Sequence, residues 1–240
     1  MSIIQLINNF NNLQQSQESC IFILRHAEKQ LADNIYDDIT ITLTELGVKS
    51  SKQLGQQLAE FYPQIEIVRT SFILRCLETA KHMFSVYPAK VSIISDSVLG
   101  GDGAYVADNI LAAEHFKMLP NRKDIFIEMQ LGKKFAGMSD LEGGTNILLN
   151  KIAYDLDNTS RPGFYITHDC ILALFVNSMT DIIVDDKNWF QYLDGICIKR
   201  IKNDIFLYWG KSEFNVTNKF NIILGPKNID TSCITRCIFE

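Results

Sequence analysis

This sequence predicts a three-layer α/β domain built around a mostly parallel central sheet, and three observations carry the expectation. The first is the run Cys20-Ile21-Phe22-Ile23-Leu24, unbroken in apolar or β-favouring residues, which suits a central strand buried on both faces. The second is alternation: short strand-like apolar runs exchange along the chain with longer stretches of helical period. The third is composition. With 47% hydrophobic and 21% charged residues over 240 positions, the chain can build a sizeable core and shows no repeat, low-complexity block or clear linker, so residues 1–240 are expected to form a single domain.

Taken in order, Ile3, Ile4, Leu6, Ile7 and Phe10 predict a short amphipathic helix packed outside the sheet, with an Asn/Gln-rich connector up to Ser19. After the first strand, residues 33–38 read as a solvated acidic loop. A helix is expected over residues 42–61, capped by Thr42 or Thr44, with Glu45 three residues after Thr42 as in a capping box. Its inward stripe would be Leu46, Leu54, Leu58 and Phe61, and Pro63 would end it. Residues 65–69 predict the second strand, leading into a helix that carries Arg75 in its first turn and runs to about Tyr87. A cation there is disfavoured by the helix dipole, and a bound anion would explain it.

Residues 91–95 predict a third strand, followed by a glycine-rich loop, residues 96–105, read as a lid or wall of a pocket. A helix over 108–119 comes next, then turns at Gly132, Gly137, Gly143 and Gly144 and a helix over 146–156. Residues 163–166 predict a fourth buried strand delivering Thr167-His168-Asp169 to the start of an apolar helix over 170–179. Residues 195–200 and 205–209 flank the turn Asn203-Asp204 as a β-hairpin, and the tail from Lys219 is expected to be an edge strand with an irregular end.

A net charge of −5 argues against general nucleic-acid binding, which needs a basic face. Residues 1–18 lack both the basic start and the apolar core of a secretory signal, and no apolar run is long enough to span a bilayer. The six cysteines (20, 76, 170, 197, 233, 237) are scattered without metal-like spacing, as expected for reduced thiols in a cytoplasmic protein. None has an arginine six positions later, so a cysteine-phosphatase loop is absent.

Chemistry enters where strands end. Ligands of open α/β sheets bind at the carboxyl ends of the strands, and there the first strand presents Arg25 and His26. A guanidinium binds phosphoryl oxygens bidentately, and an imidazole can attack phosphorus. With Leu24-Arg25-His26-Ala27-Glu28 at the first strand, Leu43-Thr44-Glu45-Leu46-Gly47 opening the first large helix, Ser71 and Leu74-Arg75-Cys76-Leu77-Glu78-Thr79-Ala80 after the second strand, and Thr167-His168-Asp169 late in the chain, the sequence resembles the histidine phosphatase superfamily, the phosphoglycerate-mutase-like and acid-phosphatase-like enzymes. The resemblance covers residues 22–179. It departs at Ala27, where the family usually has glycine. Residues 101–106 and 189–195 further look like a bacterial subgroup of uncharacterised members.

The resemblance implies a phosphoglycerate-mutase-like fold and a metal-independent phosphomonoesterase without cofactor. His26 would be the nucleophile, Arg25, Arg75 and His168 the phosphate pocket, and Asp169 the proton donor, as in the acid-phosphatase branch. Asp102 is the reserve donor, and Glu28 either orients a cation or faces solvent. Substrates would be small phosphate esters or phosphoproteins. A phosphomutase or a non-catalytic phospho-ligand binder on the same fold is the alternative. His82 and His115 read as ordinary helical residues, and Cys76 and Cys170 as helix-packing residues. Asp155-Leu156-Asp157-Asn158-Thr159 matches the D-x-D-x-T string of haloacid-dehalogenase-like phosphatases, which use an aspartate and magnesium. It follows an amphipathic helix rather than the first buried strand, so it reads as a polar helix end.

Overall fold

The computed structural model describes residues 19–31, 39–88, 90–101, 103–118 and 121–224. The expected N-terminal helix, the acidic loop over 33–38, Asp102, Cys233 and Cys237 lie outside them. The strands are β1 (Cys20–Arg25), β2 (Ile67–Thr70), β3 (Ile93–Ser95), β4 (Gly163–Thr167), β5 (Gly195–Ile201), β6 (Asp204–Trp209) and β7 (Ser212–Asn215). The helices are α1 (Glu45–Phe61), α2 (Leu74–Phe84), α3 (Asn109–Met118), α4 (Lys123–Gln130), α5 (Leu141–Asn158), α6 (Asp169–Thr180) and α7 (Thr217–Leu224).

One seven-stranded sheet runs in the order β3-β2-β4-β1-β5-β6-β7. The first four strands are parallel, which requires the crossover connections that the helices between them supply. β5, β6 and β7 close the sheet as an antiparallel meander, in which β6 again points along β1.

β1 lies between β4 and β5, and Ile21, Phe22, Ile23 and Leu24 are all fully buried. Alternation along the strand sends Ile21 and Ile23 into a core shared with α5 and α6, and Phe22 and Leu24 into a second core under α1 and α2. Phe22 stacks on Phe164 of β4 with ring centroids 5.1 Å apart. Each such side chain withdrawn from water contributes roughly 1.5–3 kcal/mol. A residue polar on either side would therefore be costly, which is why the run carries no periodicity. The two helical layers on opposite faces make the predicted three-layer α/β/α sandwich.

Several elements differ from expectation. Of the two expected caps, Thr44 is the one that caps α1, its hydroxyl accepting from Gly47 N. Leu46 (62% exposed) and Phe61 (38%) point outward; Gly47, Ser51, Leu54, Gly55 and Leu58 make the buried face, so small residues hold positions that an apolar count passes over. Gly143 and Gly144 sit inside α5, which begins at its cap Asp140, rather than in turns. Gly132 and Gly137 do occupy positive φ in turns. α4 and β7 were not anticipated, and the β5–β6 turn falls at Lys202-Asn203, with Lys202 left-handed. The tail from Lys219 begins as helix α7, not as an edge strand.

Candidate active site

β1 and β4 end side by side, with Arg25 registered against Thr167. The ladder continues past both strands. His26 N donates to Thr167 O (2.9 Å), Ser71 N to Ile166 O (2.9 Å), Asp96 N to Thr70 O (2.8 Å) and Arg25 N to Asp194 O (2.8 Å). These bonds set Arg25, His26, Ser71 and His168 along one line of strand ends.

His26 is 2% exposed. Its Nδ1 is 2.7 Å from the Ala27 carbonyl, which can only accept, so Nδ1 carries the proton. The lone pair on Nε2 then accepts from Arg75 Nε at 3.1 Å. One neutral tautomer satisfies both contacts. Burial first, then the neighbouring His168 and Arg75, hold the imidazole well below the ordinary 6.5.

Arg75, 7% exposed in the first turn of α2, also places Nη2 3.3 Å from His168 Nδ1. A cation at this helix start is thus met by two imidazole nitrogens from two different strand ends. Because arginine only donates, His168 Nδ1 accepts, and Nε2 donates to Ser71 Oγ at 3.1 Å. Ser71 Oγ also accepts from Ile73 N. Burial, then Arg75 and Arg25, lower the His168 value in the same direction. The two rings meet edge to face, 5.4 Å between centroids.

Arg25 is held on three sides. Nη1 donates to Phe190 O (2.7 Å), Nη2 pairs with Asp169 Oδ2 (2.9 Å), and the guanidinium lies 4.2 Å from the centre of the Tyr192 ring. Its Nε is buried and has no hydrogen-bond partner among the described residues. Asp169 Oδ2 additionally accepts from Trp189 Nε1 (3.0 Å), and Oδ1 from Cys170 N (2.9 Å). Every contact of that carboxyl is with a donor. The Tyr192 ring lies 5.7 Å from the His26 ring, so the loop between α6 and β5 forms one wall of the site.

The flanking motif residues have structural partners. Glu28 Oε2 accepts from Thr44 Oγ1 (2.9 Å) and Glu28 O from Thr44 N (3.0 Å), tying the α1 cap to the end of β1. A Cβ on Gly47 would come within 2.1 Å of Glu28 O, so this approach needs glycine. Thr79 Oγ1 accepts from Ala27 N and donates to Arg75 O, and Glu78 accepts from Leu43 N. On the far side Gly100 lies against Ser71, where a Cβ would stand 2.6 Å from Oγ, and Leu99 O accepts from Thr167 Oγ1. The glycine-rich loop is therefore packed on the site next to Ser71 and Thr167.

Arg25, His26, Arg75, His168 and Asp169 are thus brought together; Glu28 stands one step behind at the α1 cap, and the reserve donor Asp102 lies outside the described residues. Ser71, Thr79, Tyr192 and Trp189 were not named as site residues, although the first two stand inside the quoted motifs and the last two inside the quoted 189–195 stretch. Cys76, read as a packing residue, places Sγ 3.6 Å from His168 Nε2. Asp155 is 1% exposed and grips Arg69 through both oxygens (2.6 and 2.8 Å), while Asp157 pairs with Arg200. The D-x-D-x-T string is accordingly spent on structural ion pairs. Among the described residues no group of three His, Cys, Asp or Glu side chains is placed to hold a metal ion, and no helix is long and apolar enough to cross a membrane.

The architecture is that of the phosphoglycerate-mutase-like α/β proteins. Residues 21–96 match the histidine phosphatase superfamily (branch 1). No curated protein matches the chain. Among solved structures, mycobacterial glucosyl-3-phosphoglycerate phosphatase complexed with VO3 shares the fold at a TM-score of 0.55 and 15% identity, covering 80% of this chain and 99% of its own. Bacillus stearothermophilus YhfR aligns at 0.53 and 18% identity over 77% of this chain and 92% of its own. Phosphoserine phosphatase from Entamoeba histolytica, in complex with 3-phosphoglyceric acid, aligns at 0.50 and 15% identity over 75% and 90%. Residues 21–96 thus match the histidine phosphatase superfamily in sequence, and most of the chain's length shares the fold of these solved structures.

Proposed function

We propose that the protein is a metal-independent phosphomonoesterase working through a phosphohistidine at His26. The observation that supports this most is the state of that ring: buried, neutral, its proton fixed on Nδ1 by Ala27 O, and its Nε2 lone pair turned to Arg75. Nε2 attacks phosphorus, the ester oxygen leaves with the bonding electrons and a proton from Asp169, and water then displaces phosphate from Nε2 while Asp169 recovers a proton. Arg25, Arg75 and His168 hold the non-bridging oxygens. Ser71 fits this role for His168, because its hydroxyl can either accept from Nε2 or donate to it, leaving Nδ1 free to donate to phosphate. Charged donors in so water-poor a site are worth about 2.7–4 kcal/mol each to the transition state, so no metal is required for charge stabilisation.

Two of the solved structures sharing the fold are named as phosphatases of glucosyl-3-phosphoglycerate and of phosphoserine, which supports small phosphate esters as the substrate class here, with a cytoplasmic location resting on the cysteine pattern of the sequence. The test is hydrolysis of an aryl phosphate and a panel of natural phosphate esters in EDTA, wild type against His26→Ala. Turnover with chelator present and lost in the variant is expected. Activity that needs magnesium and survives the substitution would overturn the reading.

A further inference from the structure

Asp169 must bring a proton to act as the donor just described, yet its carboxyl oxygens already accept from three donors. Arg25 Nη2 stands at 2.9 Å, Trp189 Nε1 at 3.0 Å and Cys170 N at 2.9 Å. Arg25, in turn, has its Nη atoms committed to Asp169 and Phe190 O, while Nε is buried without a partner. A buried donor left unbonded is costly, and it lies on the side chain expected to bind a dianion. Arg75 shows the same pattern, its donors resting on His26 and His168. In this state protein acceptors hold the donors that a phosphoryl group would use.

Resting on the phosphatase reading, we propose that the phosphoryl group and Asp169 compete for Arg25, and that substrate binding itself protonates Asp169 by taking that arginine away. A dianion arriving beside the pair offers Arg25 bidentate acceptors and its orphaned Nε a partner. Asp169 then loses its counter-ion and gains a negative neighbour, both of which favour the protonated carboxyl. The proton comes from solvent, to which the Asp169 side chain is 26% open. It leaves with the ester oxygen as the P–O bond breaks and the Nε2–P bond forms. The charged and titratable groups around this carboxyl are Arg25 and His26 from the end of β1, Lys29 beyond them, Arg75 from α2, His168 and Cys170 beside it, Tyr192 on the far face of Arg25, Asp194 beyond it, and Lys123, whose Nζ lies 5.0 Å from the Trp189 ring centre. Of these, Arg25 is the one in ion contact, and its removal is the large change.

Trp189 becomes part of the device. It holds Asp169 in place through Oδ2 when Arg25 departs, so the acid keeps its position while changing its charge.

The experiment is calorimetric titration of sulfate, which stays a dianion near neutral pH, into the full chain in buffers of differing ionisation enthalpy. Wild type is expected to take up about one proton per sulfate bound. Asp169→Asn is expected to take up none, and to bind sulfate more tightly because the competitor for Arg25 is weakened, while losing turnover. Equal uptake in both proteins, or weaker binding by Asp169→Asn, would overturn the proposal. Should the variant not fold, the pH dependence of sulfate affinity in wild type decides: affinity must rise as pH falls towards the acid side, and a flat profile refutes the coupling. Failure of wild type to bind sulfate or phosphate at all is a separate result, and it would count against the phosphatase reading itself.

Discussion

Replacing Asp155 by alanine should unfold this protein more readily than any surface change. Asp155 is 1% exposed, accepts from Arg69 Nε and Nη2 at 2.6 and 2.8 Å, and takes the hydroxyl of Tyr165. Its removal leaves Arg69, 8% exposed, with Asp96 at 3.4 Å as its remaining carboxylate. Losing one partner of a buried pair costs about 3–5 kcal/mol. The lower end applies here, because Asp96 stays and Tyr165 OH keeps a 3.3 Å contact to Lys151 O. The consequence reaches the site, since Asp96 also caps the short turn Ser97–Leu99, whose last carbonyl accepts from Thr167 Oγ1. Urea unfolding should show the midpoint falling by about 3 kcal/mol divided by the unchanged denaturant slope. A paired Arg69→Met, Asp155→Leu protein should recover most of that loss. A loss under about 1 kcal/mol for Asp155→Ala would refute the argument. Inactivity of Asp155→Asn with full stability would point back to an aspartate nucleophile.

Other outcomes follow from the same geometry. Both histidines titrate below 6.5 in the folded state, so below that pH the unfolded chain binds more protons. Stability is then fully present above about pH 6.5 and is lost as pH falls through the window beneath it. Thermal midpoints across pH 5–7 (roughly the histidine range) should slope accordingly, and a His168→Asn protein should show a shallower slope; an unchanged slope contradicts the burial argument. Gly47→Ala drives a methyl to 2.1 Å from the Glu28 carbonyl, and overpacking of this kind costs about 1–3 kcal/mol, read as a lowered unfolding midpoint. Thr79→Val strips Ala27 N of its acceptor, for a loss of about 1–3 kcal/mol by the same measurement; no loss would mean that the contact is not maintained in solution.

The strands that place the histidines were legible because each buries both faces and ends in a chemically distinctive residue: Leu24 passes to Arg25-His26, and Ile166 to Thr167-His168. Arg75 was legible from an electrostatic misfit, a cation at a helix start. What escaped did so for separate reasons. Tyr192 and Phe190 O reach Arg25, and Trp189 reaches Asp169, from a loop without periodicity, and only tertiary closure shows that they face the site. Leu46 misled because its spacing suits a helical stripe, whereas the close approach to Glu28 demands glycine at the next position. α4 escaped because its eight residues (Lys123–Gln130) are too few for a helical period to stand out.

The chain leaves the parallel sheet after Ser95 and re-enters it at Gly163, with the intervening excursion anchored beside the histidines by Leu99, Gly100 and Asp96. The groups that would break the phosphoester bond belong to strand ends and helix starts outside that excursion. The wall beside Ser71 and Thr167 and the side chains proposed to react therefore come from different stretches of sequence. Changes confined to that wall can reshape the approach to the site while Arg25 and Thr167 stay registered by the β1–β4 ladder beneath them.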